Sequence, residues 1–305
     1  MLEGIFAALL TPFTADDAVD EDALRALVDR SVADGLAGLV VCGGTGEFAA
    51  MTHQERKRVL EVVVEQNDHR MAIVAQTGAT STREAAELSA HAQQVGADAL
   101  MLATPYYEPL TFANVLPYYK GVAQASTLPI VAYNFPPAMN FAWQVDTLET
   151  LIREVPSVKF LKDSSGQSVL MDHFDNPDAD GFTVFNGEDK FVGSTLLRGA
   201  RGAIVGGANV AGPGMVKMFR AAQAGDNEVV TSIEQTLKPL FEFFQEGPYI
   251  GKLKAVLRIL GCDVGVSRAP YLMPDDAQVE QLEAFIAQID PALLTTKSAI
   301  AASTS

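Results

Sequence analysis

Short apolar runs alternate along the chain with stretches whose apolar residues recur every three or four positions. The runs are Gly4–Leu10, Leu39–Cys42, Ala72–Ala75, Ala99–Ala103, Ile130–Tyr133, Val158–Lys162, Phe182–Phe185 and Ala203–Val205. Each ends in a turn signal, such as Thr11-Pro12 after the first and Gly43-Gly44-Thr45-Gly46-Glu47 after the second. They read as strands covered on both faces, which need no polar alternation. Between them lie helix signals. Asp20 caps a helix over Glu21–Asp34 with Leu24, Leu27 and Val28 on its apolar stripe. Thr52 and Glu55 form a capping box. Further helices are read over Ser81–Val95, Thr111–Ala125, Lys190–Leu197 and Pro213–Ala224. Eight strands alternating with helices predict an α/β fold, a (β/α)8 TIM barrel, over residues 1–225. An open doubly wound sheet would show a glycine fingerprint after the first strand, and Thr11-Pro12-Phe13 stands there instead.

After the eighth unit the helical spacing continues without strands. Residues 226–292 are predicted to form a C-terminal helical extension, with helices near Glu228–Gln245, Tyr249–Leu260 and Asp275–Ile289. Residues 293–305 are rich in Ser, Thr and Ala and are expected to be a frayed tail. The 305 residues, 48% hydrophobic, suffice for a barrel of this size. No apolar run approaches ~18 residues, and residues 1–8 lack the pattern of a signal peptide. Two cysteines, Cys42 and Cys262, are too few for a disulfide framework and fit a reducing, cytoplasmic setting. The net charge of −16 argues against nucleic-acid and anionic-membrane partners. His53, His69, His91 and His173 show no metal-ligand spacing, so no metal and no organic cofactor is expected.

In a barrel of this kind the chemistry collects where strands end. Strand alternation puts Val158, Phe160 and Lys162 on one face, so an ammonium sits among apolar neighbours. Desolvation lowers a lysine pKa, and a neutral amine can attack a ketone to form a Schiff base. The competing reading is a plain ion pair of Lys162 with Asp163 or a helix carboxylate. Tyr133 ends the preceding strand and pairs sensibly with such a lysine, as a phenol that moves protons. The Gly43–Glu47 turn can close backbone N–H groups around a carboxylate.

The same strand-end motifs resemble the dihydrodipicolinate synthase / N-acetylneuraminate lyase family of pyruvate-dependent class I aldolases. The resemblance runs from Gly4 to about Ile289, through G-x-T-G-E at Gly43–Glu47, P-Y-Y at Pro105–Tyr107, Y-N-x-P at Tyr133–Pro136, K-D-S-S-G at Lys162–Gly166 and G-A-I-x-G-x-A-N at Gly202–Asn209. It implies that Lys162 forms the Schiff base, that Tyr133 donates and accepts protons, and that Gly44 and Thr45 hold the keto-acid carboxylate beside Ile204. It also implies a homotetramer in which Tyr107 reaches into a neighbour's site. Two positions depart from the family. Ala138 replaces the arginine that grips the second carboxylate in dihydrodipicolinate synthases, and Gly44 replaces a Thr or Ser hydroxyl that relays protons between the tyrosines. The expected function is therefore a Schiff-base lyase or aldolase, not a true dihydrodipicolinate synthase. Its partners would be a 2-keto acid and an aldehyde, with a 2-keto-3-deoxy sugar acid cleaved or dehydrated. The alternatives are a hydratase-aldolase for aromatic aldehydes, a 4-hydroxy-tetrahydrodipicolinate synthase, or a non-catalytic keto-acid-binding relative.

Overall fold

The computed structural model describes residues 2–174 and 182–296. Eight parallel strands close on themselves: β1 (Gly4–Ala8), β2 (Gly38–Val41), β3 (Ala72–Gln76), β4 (Ala99–Leu102), β5 (Ile130–Asn134), β6 (Val158–Asp163), β7 (Thr183–Asn186) and β8 (Gly202–Val205). The seam pairs Gly4–Ala7 with Gly202–Val205. Asn209 fastens it, donating to the carbonyls of Ala8 and Gly206 at 2.8 Å and accepting from the Leu10 N–H at 3.2 Å. The predicted barrel is thus the observed one.

The helices between the strands are α1 (Glu21–Ala33), α2 (His53–Asn67), α3 (Thr82–Val95), α4 (Phe112–Ala125), the single turn α5 (Pro136–Met139), α6 (Val145–Glu154), α7 (Val169–Phe174), α8 (Val192–Leu196) and α9 (Ala208–Ala224). Asp20 caps α1 through the Ala23 N–H, and the Thr52–Glu55 box caps α2. α9 begins before Pro213 with a turn from Ala208, and its backbone breaks at Ala211. Both α6 and α7 were absent from the sequence reading. The apolar positions Leu148 and Leu151 of α6 are buried, so an amphipathic signal was present there.

Side chains divide into two apolar sets. Phe6, Val40, Val74, Met101, Val131, Phe160, Phe185 and Ile204 fill the barrel interior. The alternate residues, such as Ile5, Leu39, Leu100 and Leu161, pack outward against the helices. One expectation fails here. Val158 joins the outward set, whereas Phe160 points inward, because the pairing of β5 with β6 jumps from Ile130–Val158 to Val131–Phe160. That bulge leaves Lys159 as an extra, exposed residue and breaks the simple alternation. Lys162 keeps the parity of Phe160.

Beyond the barrel, α10 (Asn227–Phe244), α11 (Tyr249–Ile259) and α12 (Asp276–Ile286) form the extension. The tail expected from residue 293 is docked at its start. Leu293, Leu294 and Thr295 are buried, and the Thr295 N–H donates to Val210 O at 2.9 Å, because two leucines find apolar cover beside α9. Residues 297–305 of that expected tail lie outside the described residues.

Asp34 sits under this docked segment. Burial raises its pKa from 3.8 to about 6, and the nearby Thr295 hydroxyl and Arg30 guanidinium offset this only in part. A carboxyl whose folded pKa exceeds its unfolded value costs stability once both states are ionised, and the cost fades as pH falls from 6 towards 4. At 1.36 kcal/mol per pH unit the cost is at most about 3 kcal/mol. Asp34→Asn is therefore expected to be more stable than wild type at pH 8 in urea unfolding, with the gap closing on acidification. A gap that does not change with pH would show that Asp34 is not the titrating group.

Candidate active site

Tyr133 and Lys162 are register partners at the C-terminal ends of β5 and β6. Two hydrogen-bonded neighbours fix that register. The Asn134 amide donates to Asp163 Oδ1 at 2.9 Å and its oxygen accepts from the Trp143 N–H, while the Trp143 indole donates to Tyr133 O at 3.2 Å. Asp163 also accepts from the Ser165 N–H at 3.0 Å. Burial raises the Asp163 pKa against these bonds. The carboxylate next to the lysine in sequence is thus committed elsewhere, on the other side of the strand.

Lys162 itself is 6% exposed and makes no hydrogen bond or ion pair among the described residues. Its Nζ lies 4.5 Å from the centroid of the Tyr133 ring. The plain ion-pair reading of Lys162 therefore fails, and its amine is left facing the tyrosine ring. Room for it depends on Gly187 at the end of β7. A Cβ there would come within 2.0 Å of Ser164 Oγ and 3.0 Å of Lys162 Cε.

Above the lysine opens a cavity of about 510 Å³. One wall is the turn after β2. Gly44 and Thr45 line the cavity, and their N–H groups engage no backbone acceptor among the described residues. A Cβ built on Gly44 meets nothing within 4 Å, so the position is open space. The turn is bounded by Cys42 at φ 57° and Glu47 at φ 60°, left-handed conformations that cost a residue other than glycine about 1–2 kcal/mol each. What holds it lies beneath. The fully buried Glu47 carboxylate is 2.7 Å from the fully buried Lys254 Nζ and accepts from the Arg268 N–H at 2.8 Å. Burial raises the Glu47 pKa and lowers that of Lys254, each pulled back in part by the other.

The opposite wall is acidic. Asp189 accepts from Gly207 N–H and from the Tyr249 hydroxyl, both at 2.6 Å. Burial raises its pKa and pushes that of Tyr249 well up. Glu188, next to it, lines the cavity with a carboxylate that makes no hydrogen bond or ion pair among the described residues. The mouth is completed by Gln245, Pro248, Ile250, Tyr271 and Leu272 from the extension.

Of the residues predicted from sequence, the fold brings Gly44, Thr45, Tyr133 and Lys162 to one cavity. Ile204 lies below them, fully buried in the interior set against which Tyr133 packs. Ala138 stands on the cavity wall. Tyr107 does not join them within one chain. It is 82% exposed and borders a separate groove with Ser81 and Leu110. The sequence reading missed Asp189, Tyr249 and Tyr271. An acidic pair directly after the Gly187 turn was a usable signal for the first. Nothing local marks the other two, because their place depends on the extension folding back over the barrel mouth.

Comparison with known proteins agrees with this geometry. The sequence matches the dihydrodipicolinate synthetase family over residues 1–289. A 4-hydroxy-tetrahydrodipicolinate synthase from Methanothrix thermoacetophila is 34% identical over 285 residues, covering 92% of this chain and 95% of that one. An N-acetylneuraminate lyase from Escherichia coli is 32% identical over 292 residues, covering 94% and 97%. The crystal structure of YagE, a prophage protein of the dihydrodipicolinic acid synthase family from E. coli K12 in complex with pyruvate, is 30% identical. It superposes with a TM-score of 0.88, covering 94% of this chain and 98% of that one. With a closed barrel, a strand-end Lys–Tyr pair and similarity along almost its whole length, the chain belongs to the dihydrodipicolinate synthetase family of lyases.

Proposed function

We propose that the protein is a Schiff-base aldolase that cleaves a 2-keto-3-deoxy sugar acid to pyruvate and an aldehyde, and runs the reverse condensation. The observation that carries this reading is Lys162, buried, unpaired and 4.5 Å from the Tyr133 ring at the bottom of a substrate-sized cavity. The amine adds to the C2 ketone and loses water to give an iminium. The iminium accepts the electron pair of the C3–C4 bond as the Tyr133 oxygen, having given its proton to the departing water, takes the proton of the C4 hydroxyl. The aldehyde leaves. The enamine takes a proton at C3, and hydrolysis returns pyruvate and free lysine. The iminium is the electron sink, so the step needs no metal or organic cofactor. The amides of Gly44 and Thr45, which line the cavity without backbone acceptors among the described residues, would hold the keto-acid carboxylate. Tyr107, exposed in the single chain, would enter a neighbour's site in a homotetramer. A keto-acid sensor would need neither an unpaired buried lysine nor its tyrosine.

The test is borohydride reduction in the presence of pyruvate, read by intact mass and peptide mapping. One reduced adduct on Lys162 is expected. An adduct on Lys159 or Lys190 instead would remove the basis of the assignment.

The relatives named 4-hydroxy-tetrahydrodipicolinate synthase raise a second expectation. Ala138 offers no fork for a second carboxylate, and Lys162 is the one Lys or Arg among the described residues lining the cavity. A lost charge-assisted contact of 1.5–3 kcal/mol corresponds to about 10- to 150-fold. Condensation of pyruvate with aspartate semialdehyde should therefore be at least that much poorer in kcat/KM than with a neutral hydroxyaldehyde. Comparable values would mean that a cation from elsewhere has replaced the arginine.

A further inference from the structure

The wall facing Lys162 decides what the far end of the substrate can be. Once pyruvate's carboxylate sits at the Gly44–Thr45 turn, the aldehyde half must extend into the remaining cavity. There it meets Glu188, whose carboxylate has no partner among the described residues, and Asp189, held by Tyr249. No Arg, Lys or His other than Lys162 lines the space among the described residues. The neighbouring Lys190 turns its ammonium towards the Phe191 ring, 5.1 Å from the centroid, and does not line the cavity.

Building on the Schiff-base reading above, we infer that Glu188 is the specificity-determining residue of the aldehyde half and that this half is uncharged and hydroxylated. The substrate would then be a 2-keto-3-deoxy acid ending in a free hydroxymethyl group, neither phosphorylated nor carrying a second carboxylate. A free carboxylate in a partly enclosed wall wants donors, and a polyol chain supplies O–H groups to it. A phosphate or carboxylate at the same place would face like charge with no counter-ion. Burial, and after it the neighbouring Asp189, already raises the Glu188 pKa against the pull of Lys190 and Lys162, so a further anion would add to an existing strain.

The experiment is the condensation of pyruvate with three aldehydes: glyceraldehyde, glyceraldehyde 3-phosphate and succinic semialdehyde. Wild type should prefer glyceraldehyde over each anionic aldehyde by about 100-fold in kcat/KM. Glu188→Gln removes the charge at nearly constant shape and should cut that preference about tenfold, mainly by lowering KM for the anionic aldehydes. Glu188→Lys should reverse it. Wild-type rates within threefold for all three aldehydes, or an unmoved ratio in both variants, would overturn the assignment of Glu188. Pyruvate trapping on wild-type Lys162, which involves no aldehyde, is read separately. If trapping fails, the Schiff-base reading falls. If trapping succeeds while the ratios stay flat, only the inference about Glu188 falls.

Discussion

Lys162→Met is expected to lower turnover by about 10⁴–10⁶-fold, the scale on which enzymes lose rate when a covalent nucleophile is removed. It should also abolish borohydride trapping of pyruvate. Methionine keeps much of the volume, so the barrel floor stays filled. The stability of this variant separates function from structure. Removing one member of a buried ion pair normally costs 3–5 kcal/mol, because its partner is stranded. Lys162 has no such partner among the described residues, and the neighbouring Asp163 takes its hydrogen bonds from Asn134 and Ser165, not from the lysine. The variant should therefore unfold at the same urea concentration as wild type or a higher one. Dead and at least as stable is the signature of a residue kept for chemistry. A variant that is both inactive and several kcal/mol less stable would mean that Lys162 holds the site together.

Tyr133→Phe is expected to cost about 10²–10⁴-fold, the usual worth of a positioned acid–base group. Tyr107→Phe should cost clearly less, within about tenfold. The reason is Gly44. In relatives a hydroxyl at this position is expected to bridge the two tyrosines, and here a Cβ would find open space. In the homotetramer proposed above, a neighbour's Tyr107 would thereby be cut off from Tyr133 unless a water or a substrate hydroxyl fills the gap. Because the space is open, Gly44→Thr should be accommodated without clash and can rebuild the bridge. In that background Tyr107→Phe should become more costly, a coupling that a double-mutant cycle measures directly. Equal losses for the two tyrosines in the native background would mean that the relay survives without the hydroxyl.

Much of this was legible in the sequence because barrel strands, covered on both faces, announce themselves as apolar runs, and because Asp20 and Thr52 mark helix starts through their capping chemistry. Other features were not readable for definite physical reasons. The bulge at Lys159 leaves no local signature, since an extra residue in a strand looks like any other until its partner strand is known. The adjacency of Lys162 and Asp163 suggested a pair, but neighbours on a strand point to opposite faces. The part of the cavity wall carried by Gln245, Tyr249 and Tyr271 depends on long-range contacts, such as that of Tyr249 with Asp189 across 60 residues of chain, which no local pattern encodes.

The buried contact between Glu47 and Lys254 has a consequence for how this fold can change. On the aldolase reading proposed above, the strands carry the reacting pair, whereas the segment from Gln245 to Leu272 carries much of the cavity mouth through which an aldehyde would pass. On that reading, substitutions around Tyr271 and Leu272 would retune the choice of aldehyde while leaving the covalent chemistry alone. The same segment is no detachable accessory. A deletion or frame slip that withdrew Lys254 and Arg268 would leave a buried, uncompensated glutamate beneath the turn proposed to hold the keto acid. Diversification is therefore free at the rim and forbidden one helical turn away, where the extension acts as the keystone of the turn it covers.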